Sequence, residues 1–303
     1  MKILRVALPK GHLWRAVSGL LDQAGYGLRL RNQRSYYAES NDPELEIRIH
    51  RAQNISPLIE EGKYDVGITG LDWVKEHRAD VQEIADLGEG RVDIVAAVPQ
   101  TYDLGSEPGR VLEQFTGAVR KNRKDRIIVA SEYENLTRDF CRTKLNALPC
   151  RFIRSYGATE TFIGVADLIV DCTETGATLR ENGWQVMSTL FNSTARLIAN
   201  KESLKDPWKR EKVESFTELT LGARDARGMK LIKMNVAANA LGKVLAVLPS
   251  MKSPTISKLA GDDKAGYAVE VAVNEKQVVQ LLPLLRKQGA SDILELDIKK
   301  VIK

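Results

Sequence analysis

In the first half of the chain, short runs of β-branched and leucine residues alternate with segments in which apolar residues recur at helical spacing. The predicted strand and helix pairs are residues 3–8 with 12–24, 45–49 with 57–61, and 65–69 with 72–76. Strands that alternate with helices in this way are typical of a largely parallel sheet with helices on its faces. The first half therefore predicts an α/β fold.

A second α/β block follows a strand predicted at residues 93–98. Its predicted elements are a basic helix ending near residue 120, strands at 127–131, 151–154 and 168–171, a helix over 136–145 and a short helix at 161–162. The chain then returns to the first block, because residues 185–199 favour strand and Asp206-Pro207 is a good N-cap and first-turn pair for a helix reaching about residue 222. We expect two lobes joined by two crossings, with lobe I over residues 1–98 and 185–223 and lobe II over 99–184.

From residue 229 the order of elements changes. The predicted elements are a strand to residue 236, a helix to 248, strands at 255–259 and 267–273, a helix at 276–288 and a strand at 293–302. This is the βαββαβ order of a ferredoxin-like domain. We place this domain at residues 224–303, after a catalytic part at 1–223.

The composition is that of a folded globular protein. The 303 residues exceed the usual length of one domain, and 43% are hydrophobic while 28% are charged. We find neither a long apolar run of membrane-spanning length nor a secretory signal, so we expect a cytoplasmic protein without a membrane partner. The net charge of +5 is spread along the chain, which favours small anionic ligands over nucleic acid. We interpret the basic stretch at residues 120–124 as a solvated face.

Cysteine and histidine are scarce. The three cysteines lack CxxC spacing, which argues against a disulfide framework and against a zinc–thiolate site, and we interpret them as reduced packing residues. The three histidines form no HExxH motif. We therefore expect any metal to arrive with a substrate.

Residues 166–183 carry the clearest chemical signal. An apolar strand ends in Asp171 and leads through a tight turn into a helix, and the turn segment is Thr173, Glu174, Thr175, Gly176, Ala177 and Thr178. Small residues leave backbone N–H groups open to an anion, and threonine adds hydroxyl donors. A phosphate monoester suits this turn, and the Asp171 carboxylate suits ribose hydroxyls. The alternative is a plain turn in which Gly176 reverses the chain and Thr175 caps a helix, and the motif alone does not decide between the two.

The combination of motifs resembles the long form of ATP phosphoribosyltransferase over nearly the whole chain. An apolar strand, an acid and then Thr-Gly-x-Thr is the pattern with which phosphoribosyltransferases hold the 5′-phosphate and ribose of phosphoribosyl pyrophosphate. Further segments resemble the family in the same order, and these are residues 6–11, 51–55, 65–70, 86–91 and 133–138. The tail belongs to the resemblance too, since short-form relatives lack the part from about Arg224 and depend on a separate regulatory subunit.

Two positions depart from the family pattern. His12 stands where the family commonly has arginine, which weakens one candidate phosphate contact, and Asn54 stands where aspartate is common. Glu174 places a negative charge in the phosphate loop. The sequence does not decide whether its side chain faces ribose, magnesium or solvent.

The resemblance implies a two-lobed catalytic part similar to the type II periplasmic-binding-protein fold. It also implies the first step of histidine biosynthesis, in which N1 of the adenine of ATP attacks C1′ of phosphoribosyl pyrophosphate and pyrophosphate leaves. Because adenine N1 has a free lone pair, no strong base is needed, and catalysis should rest on positioning, Mg²⁺ and basic side chains. We expect Lys10 and Arg51 to contact pyrophosphate. Further candidates for substrate contact are Gly70, Asp72, Glu89 and Arg91, and the residues that hold adenine are not identified.

The resemblance also implies regulation and assembly. The C-terminal domain would bind free histidine as a feedback inhibitor, at a segment that includes Ser253 and Thr255, and the chain would form a homo-oligomer between dimer and hexamer. Read without the family, the same segment is a loop entering a strand.

Two other functions fit parts of the pattern. A two-lobed solute-binding or effector-sensing protein would share the double crossing, but such proteins need an export signal or usually carry a helix-turn-helix domain, and the sequence shows neither. A phosphoribosyltransferase acting on another base is the second alternative. An assay of pyrophosphate release with ATP against other bases separates these functions.

Overall fold

The computed structural model describes residues 2–30, 32, 35–102, 104, 110–121, 126–145, 148–249, 253–261 and 266–302. Packing divides the chain into two compact units, one of residues up to Asp22 and from Tyr26 to Thr217, the other of Gln23–Gly25 and Glu218–Lys303. The expected boundary after residue 223 and the boundary after Thr217 both lie within one helix, so the domain limits stay a prediction. Within the described ranges no helix is long and apolar enough to cross a membrane.

The first unit contains two sheets. Its strands are β1 (Leu4–Pro9), β2 (Arg29–Leu30), β3 (Tyr37–Glu39), β4 (Leu45–His50), β5 (Val66–Gly70), β6 (Gln82–Asp86), β7 (Val92–Pro99), β8 (Ile127–Ser131), β9 (Cys150–Arg154), β10 (Leu168–Thr173), β11 (Trp184–Ser193) and β12 (Ala195–Ala199). The helices, of which α1 and α7 also supply residues to the second unit, are α1 (His12–Ala24), α2 (Ala52–Glu60), α3 (Leu71–His77), α4 (Val111–Lys121), α5 (Glu134–Lys144), α6 (Ala177–Glu181) and α7 (Pro207–Ala226).

The first sheet has the order β2-β3-β4-β1-β5-β12-β6. β1 lies in its middle and pairs in parallel with β4 and β5. Leu4, Val6 and Leu8 of β1 are fully buried, as expected for a strand covered on both faces. Helix α2 packs through Ile55 and Ile59. The predicted alternation of strands and helices is confirmed for this lobe.

The second sheet has the order β11-β7-β10-β8-β9. β8, β9 and β10 run parallel, while β7 pairs antiparallel with both β10 and β11. The assignment of residues 92–98 and 185–193 to lobe I is therefore wrong, since β7 and β11 belong to the second sheet. The apolar pattern of β7 predicts that the strand is buried on both faces, but it does not name the neighbouring strands.

The chain passes between the two sheets twice, at residues 87–91 and at Thr194, which alone separates β11 from β12. Asp86 holds the two crossings together. Its carboxylate accepts hydrogen bonds from Thr194 Oγ1 at 2.7 Å and Gly88 N at 2.8 Å, and it pairs with Arg196 at 2.5 Å. Burial raises the pKa of Asp86, but these contacts outweigh burial and hold the pKa below its ordinary value.

The second unit has the predicted βαββαβ order. Its elements are β13 (Met229–Val236), α8 (Leu241–Val247), β14 (Thr255–Lys258), β15 (Tyr267–Asn274), α9 (Glu275–Lys287) and β16 (Ala290–Asp297). The four strands form an antiparallel sheet in the order β14-β15-β13-β16, and both helices pack on one face of it. The fold class, an α/β protein with two lobes and a ferredoxin-like domain, is confirmed.

The last strand differs from its predicted range of residues 293–302. β16 begins at Ala290 and ends at Asp297, and the chain beyond it pairs elsewhere, because Val301 N donates to Gly222 O of α7 at 2.9 Å. An alternating apolar pattern alone does not distinguish these two partners. Of the basic stretch at residues 120–124, Arg120 and Lys121 are exposed on α4, and the remainder lies outside the described residues.

A buried carboxylate ties β5 to its surroundings. Asp65, fully buried just before β5, accepts hydrogen bonds from Arg5 Nη2 at 2.9 Å, Ser203 Oγ at 2.8 Å and Lys209 Nζ at 2.8 Å. Burial alone would raise the pKa of Asp65, but the Arg5 and Lys209 contacts lower it from 3.8 to about 2. Asp65 thereby contributes about 2 kcal/mol of stability that is complete above its unfolded-state pKa and is lost as the pH falls toward 2.

We expect Asp65→Asn to lower the free energy of unfolding by about 3 kcal/mol at pH 7, because Arg5 and Lys209 lose their anion. The variant should also lose less stability than the wild type between pH 4 and 2. Urea unfolding across this pH range measures both effects. Asp80→Asn, which removes the exposed ion pair with Lys201, is the matched control and should cost less than about 1 kcal/mol. Equal losses in the two variants would refute this role of Asp65.

Candidate active site

The candidate site lies where strand ends of the two sheets face each other. Lys10 follows β1 of the first sheet, whereas Asp171 and Thr173 lie at the carboxyl end of β10 in the second. The two sides approach closely, since His12 Nε2 lies 3.6 Å from Glu174 Oε1. Open α/β sheets bind ligands at the carboxyl ends of their strands. The structure thus brings together the residues that the sequence assigned to phosphate, ribose and pyrophosphate.

Lys10 and Arg51 line one cavity of about 390 Å³ in the first lobe. Lys10 N donates to His50 O at 2.6 Å, and Lys10 Nζ lies 4.5 Å from the ring centroid of Tyr36. Arg51 is exposed at the N-cap of α2. The sequence did not single out Tyr36, Arg48, His50 and Tyr64, which share the cavity. Burial, with Arg48 nearby, lowers the pKa of His50, so three cationic side chains, Lys10, Arg48 and Arg51, and a largely neutral imidazole line the same cavity.

The phosphate loop is a tight turn held by its own threonines. Gly176 has φ of 71°, a left-handed conformation that favours glycine. Gly176 N donates to Thr173 Oγ1 at 2.8 Å, and Ala177 N lies 3.4 Å from Thr175 Oγ1. Thr175, Ala177 and Thr178 are exposed, as is Glu174. The loop therefore exposes small residues and hydroxyls, whereas its Gly176 and Ala177 amides, which the sequence predicts to be open to an anion, donate to threonine hydroxyls of the loop itself.

Asp171 lies half-buried beside two further acids. Burial is the largest cause that raises its pKa from 3.8 to about 7, and the negative charges of Glu160 and Glu132 add to this, while the Cys172 N–H opposes it. Burial likewise raises the pKa of Glu132, against the opposing charges of Arg51 and Arg154. Glu132 and Glu160 are site residues that the sequence analysis missed. Both residues follow a strand of the second lobe, β8 for Glu132 and β9 for Glu160. This position after a strand is the sequence signal that could have identified them.

The described residues contain no group of three or more metal-binding side chains in suitable geometry. Asp171 and its acidic neighbours offer the carboxylate oxygens that Mg²⁺ prefers, but as additions to a coordination shell and not as a complete one.

Asp72 does not face a ligand. It is 5% exposed, Oδ1 accepts from Ser193 Oγ at 2.6 Å, and Oδ2 accepts from Tyr133 OH at 2.8 Å. The expectation that Asp72 contacts substrate is therefore not supported, because both carboxylate oxygens have partners within the protein. Gly70 is equally structural, since a Cβ there would lie 2.0 Å from Asp72 Oδ1.

Helix α3 also carries Glu76, which joins the two lobes. Glu76 is 3% exposed, and its two carboxylate oxygens accept from Asn135 N and Leu136 N of α5 at 3.0 Å each. Asn135 Nδ2 returns a hydrogen bond to Glu76 O at 2.8 Å. The first amides of a helix need acceptors, and a carboxylate suits the positive end of the helix dipole. One lobe thereby caps a helix of the other.

Glu89 is half-buried and Arg91 is exposed, in the turn before β7. This turn touches the start of α1, because a Cβ at Gly90 would lie 2.2 Å from Leu13 Cδ1. In the second unit, Ser253 and Thr255 are exposed, and Thr255 lies opposite Glu270 on the edge strand β14. The preceding Met251 and Lys252 of the predicted histidine segment lie outside the described residues.

Comparison with known proteins places this geometry in context. A family model described as ATP phosphoribosyltransferase matches residues 51–220, and one described as the HisG C-terminal domain matches residues 226–300. The ATP phosphoribosyltransferases of Pelotomaculum thermopropionicum and Desulforudis audaxviator are each 41% identical to this chain over 305 residues, covering 99% of both chains. The solved ATP phosphoribosyl transferase (HisG:HisZ) complex from Thermotoga maritima includes a chain that is 25% identical, with a TM-score of 0.59, covering 74% of this chain and 99% of that one.

We expect Asp171→Asn to stabilise the protein more at pH 8 than at pH 5. The unfolded state loses this proton from about pH 4 and the native state only near pH 7, so the cost in stability grows between these two values and is complete above pH 7. The gain at pH 8 should be about 1–2 kcal/mol, less than the full shift implies because one side of the carboxylate is open to water. Thermal unfolding at both pH values measures it. Glu181→Gln, an exposed acid on α6, should show no pH-dependent difference, and a gain for Asp171→Asn that is equal at pH 5 and pH 8 would rule out the titration.

Proposed function

Because the chain belongs to the ATP phosphoribosyltransferase family, we propose that it transfers the phosphoribosyl group of phosphoribosyl pyrophosphate to N1 of ATP. The family is one of phosphoribosyl transferases that act in the first step of histidine biosynthesis. In the proposed step, a bond forms between adenine N1 and C1′ of the ribose. The C1′–O bond to pyrophosphate breaks, and its electron pair leaves with pyrophosphate.

The observation that carries this proposal is the position of the phosphate loop relative to the cationic cavity. The loop from Thr173 to Thr178 ends β10 on one side, and Lys10 and Arg51 line the cavity on the other. Phosphoribosyl pyrophosphate has a phosphate at each end of one ribose, so it suits a site with an anion-binding turn and a separate pair of cations. Asp171 is the proposed acceptor for ribose hydroxyls, because it precedes the loop on β10 and lies near Glu132, which in turn lies near Arg51.

The proposed catalysis is electrostatic. As the C1′–O bond breaks, negative charge builds up on pyrophosphate, where the Lys10 ammonium, the Arg51 guanidinium and a substrate-borne Mg²⁺ stabilise it. Once ionised, the Asp171 carboxylate stabilises the positive charge that develops on the ribose ring. No residue has to remove a proton from adenine N1, because this nitrogen carries a free lone pair.

We expect Gly176→Ala to raise the KM for phosphoribosyl pyrophosphate at least tenfold and to change the KM for ATP much less. A Cβ at Gly176 would lie 2.9 Å from Arg180 Nη1 in a loop that needs positive φ. Pyrophosphate release with ATP, against other nucleoside triphosphates and free bases, measures both constants. Gly164→Ala is the control, since Gly164 also has positive φ of 77° but nothing within 4 Å of its Cβ position.

Two results would contradict the proposal in different ways. Absence of pyrophosphate release by the wild type with ATP would refute the reaction itself. Equal effects of Gly176→Ala and Gly164→Ala would leave the reaction standing and would remove the loop from the phosphate site.

We also propose that the second unit binds histidine and takes part in a homo-oligomer. Its sheet has helices on one face only, and the opposite face exposes Leu294 and Leu296 beside Leu231. An apolar face of this kind is well suited to closed association between copies of the chain. Histidine that prefers one arrangement of such an oligomer would inhibit it with a coupling free energy of about 1–3 kcal/mol.

We expect millimolar histidine to lower the rate of the intact enzyme, and Thr255→Val to raise the half-inhibitory concentration roughly tenfold while uninhibited turnover stays within about twofold. Ser257→Ala, on the same exposed strand but outside the segment that resembles the histidine pocket, is the control. Light scattering on the same samples reports the oligomer. A histidine-insensitive enzyme would refute the regulation, and a monomer with and without ligands would refute the assembly.

A further inference from the structure

The two segments that cross between the lobes, residues 87–91 and Thr194, are called the joint. Tyr133 lies at the centre of a chain of hydrogen bonds that runs from this joint to the proposed ribose site. Its ring is 2% exposed and lies 4.6 Å from the Trp73 ring, centroid to centroid. Its hydroxyl donates to Asp72 Oδ2 at 2.8 Å, and Asp72 Oδ1 in turn accepts from Ser193 Oγ at 2.6 Å. Ser193 ends β11, just before the single-residue crossing at Thr194. One end of the chain is therefore anchored at the joint.

The other end of the chain reaches the strand that carries Asp171. The Tyr133 phenol also lies near the thiol of Cys172, which stands between Asp171 and Thr173. Burial and Asp72 are the main causes that raise the pKa of Tyr133, and Cys172 adds to them, while the phenol opposes the burial that raises the pKa of Cys172. Tyr133 is thus a neighbour of the residue that separates the proposed ribose acceptor from the phosphate loop.

The backbone of Tyr133 is fixed to the same strand. Tyr133 N donates to Ser131 Oγ at 2.9 Å, and Ser131 Oγ donates to Val170 O at 2.5 Å, one residue before Asp171. Val170 and Cys172 flank Asp171, so Tyr133 is linked to the strand on both sides of the acid. The Tyr133 hydroxyl bonds Asp72 of the first lobe, which also bonds Ser193 beside the crossing, and the Tyr133 amide is linked through Ser131 to β10. Tyr133 is therefore placed to transmit position among these three parts of the molecule.

We propose that Tyr133 is a positioning residue for phosphoribosyl pyrophosphate, which holds the end of β10 in register with the first lobe through Asp72 and Cys172. The inference rests on the proposed function of the Asp171 loop. Tyr133 does not touch substrate in this arrangement. It sets where the Asp171 carboxylate and the phosphate loop lie relative to Lys10 and Arg51.

The same lobe offers a matched control. Tyr102 OH donates to Asp167 Oδ1 at 3.0 Å, a phenol–carboxylate bond like that of Tyr133 to Asp72. Asp167 precedes β10, so this bond lies at the end of the strand away from Asp171. Loss of either hydroxyl removes one such bond and preserves the ring. The two variants therefore separate a loss of stability from a loss of position.

The experiment compares Tyr133→Phe with Tyr102→Phe. We expect both to lower the thermal midpoint, Tyr133→Phe by more, because Asp72 is more deeply buried than Asp167. We further expect Tyr133→Phe alone to raise the KM for phosphoribosyl pyrophosphate about tenfold, with kcat changed less than threefold. Calorimetric titration with phosphoribosyl pyrophosphate and Mg²⁺, without ATP, should give a dissociation constant that rises by the same factor.

A double-mutant cycle with Cys172→Ala tests the route of the effect. If Tyr133 acts through Cys172, Tyr133→Phe should change the dissociation constant by less than twofold once Cys172 is alanine, whereas Cys172→Ser should retain the tenfold effect. Unchanged binding in Tyr133→Phe, or full additivity with Cys172→Ala, would overturn the inference. A wild type that binds no phosphoribosyl pyrophosphate would instead refute the proposed function, so the two failures are distinguishable.

Discussion

The arrangement of this catalytic unit depends on two carboxylates buried on the seven-residue helix α3. Burial of an ionised carboxylate is costly unless hydrogen bonds replace its water. Asp72 and Glu76 find those hydrogen bonds in the other sheet and at the crossing, through Tyr133, Ser193 and the first amides of α5. Both buried carboxylates need hydrogen-bond donors from across the interface. Because hydrogen bonds are directional, this requirement restricts the orientation of one lobe against the other more than apolar packing would.

This fixed relation explains the electrostatics of the site. The second lobe brings Asp171, Glu132 and Glu160 together at strand ends, while the first lobe brings Lys10 and Arg51 to face them. Burial above all, and then the negative charges of Glu160 and Glu132, raise the pKa of Asp171, so ionisation of Asp171 beside these acids costs stability. Perturbed carboxylates of this kind are typical of functional sites. The protein thus retains an unfavourable cluster of charges because the joint holds the acids in place.

Much of the fold could be predicted from the sequence, because its helices and strands carry clear periodicity. Helix α1 runs from His12 to Ala24 as predicted, and Asp206 caps α7, accepting from Trp208 N and Lys209 N. The phosphate loop was recognisable because strand, acid, glycine and threonines are contiguous in sequence. The sheet that contains β7 could not be predicted, since two neighbouring strands can bury the same apolar run.

The residues of the joint were beyond sequence reasoning for a related reason. Glu76 and Asn135 lie 59 positions apart, and an acid on a predicted helix is usually solvated. We expected Asp72 to contact substrate because it closely follows a strand. In the structure its hydrogen-bond partners are Tyr133 and Ser193. Pairings between residues distant in sequence leave no local pattern. Glu132 and Glu160 show the same limit at the site itself.

The single residue between β11 and β12 determines how the lobes can move. A rotation of one sheet against the other must change the backbone dihedrals of Thr194 and of the 87–91 turn. Asp86 connects these two segments by hydrogen bonds to Thr194 and Gly88. The two lobes can therefore hardly slide past each other, and they can rotate only about a short axis through the two crossing segments. The distance from that axis then acts as a lever arm, so that a small twist at Thr194 becomes a larger displacement at the far rim of the cleft.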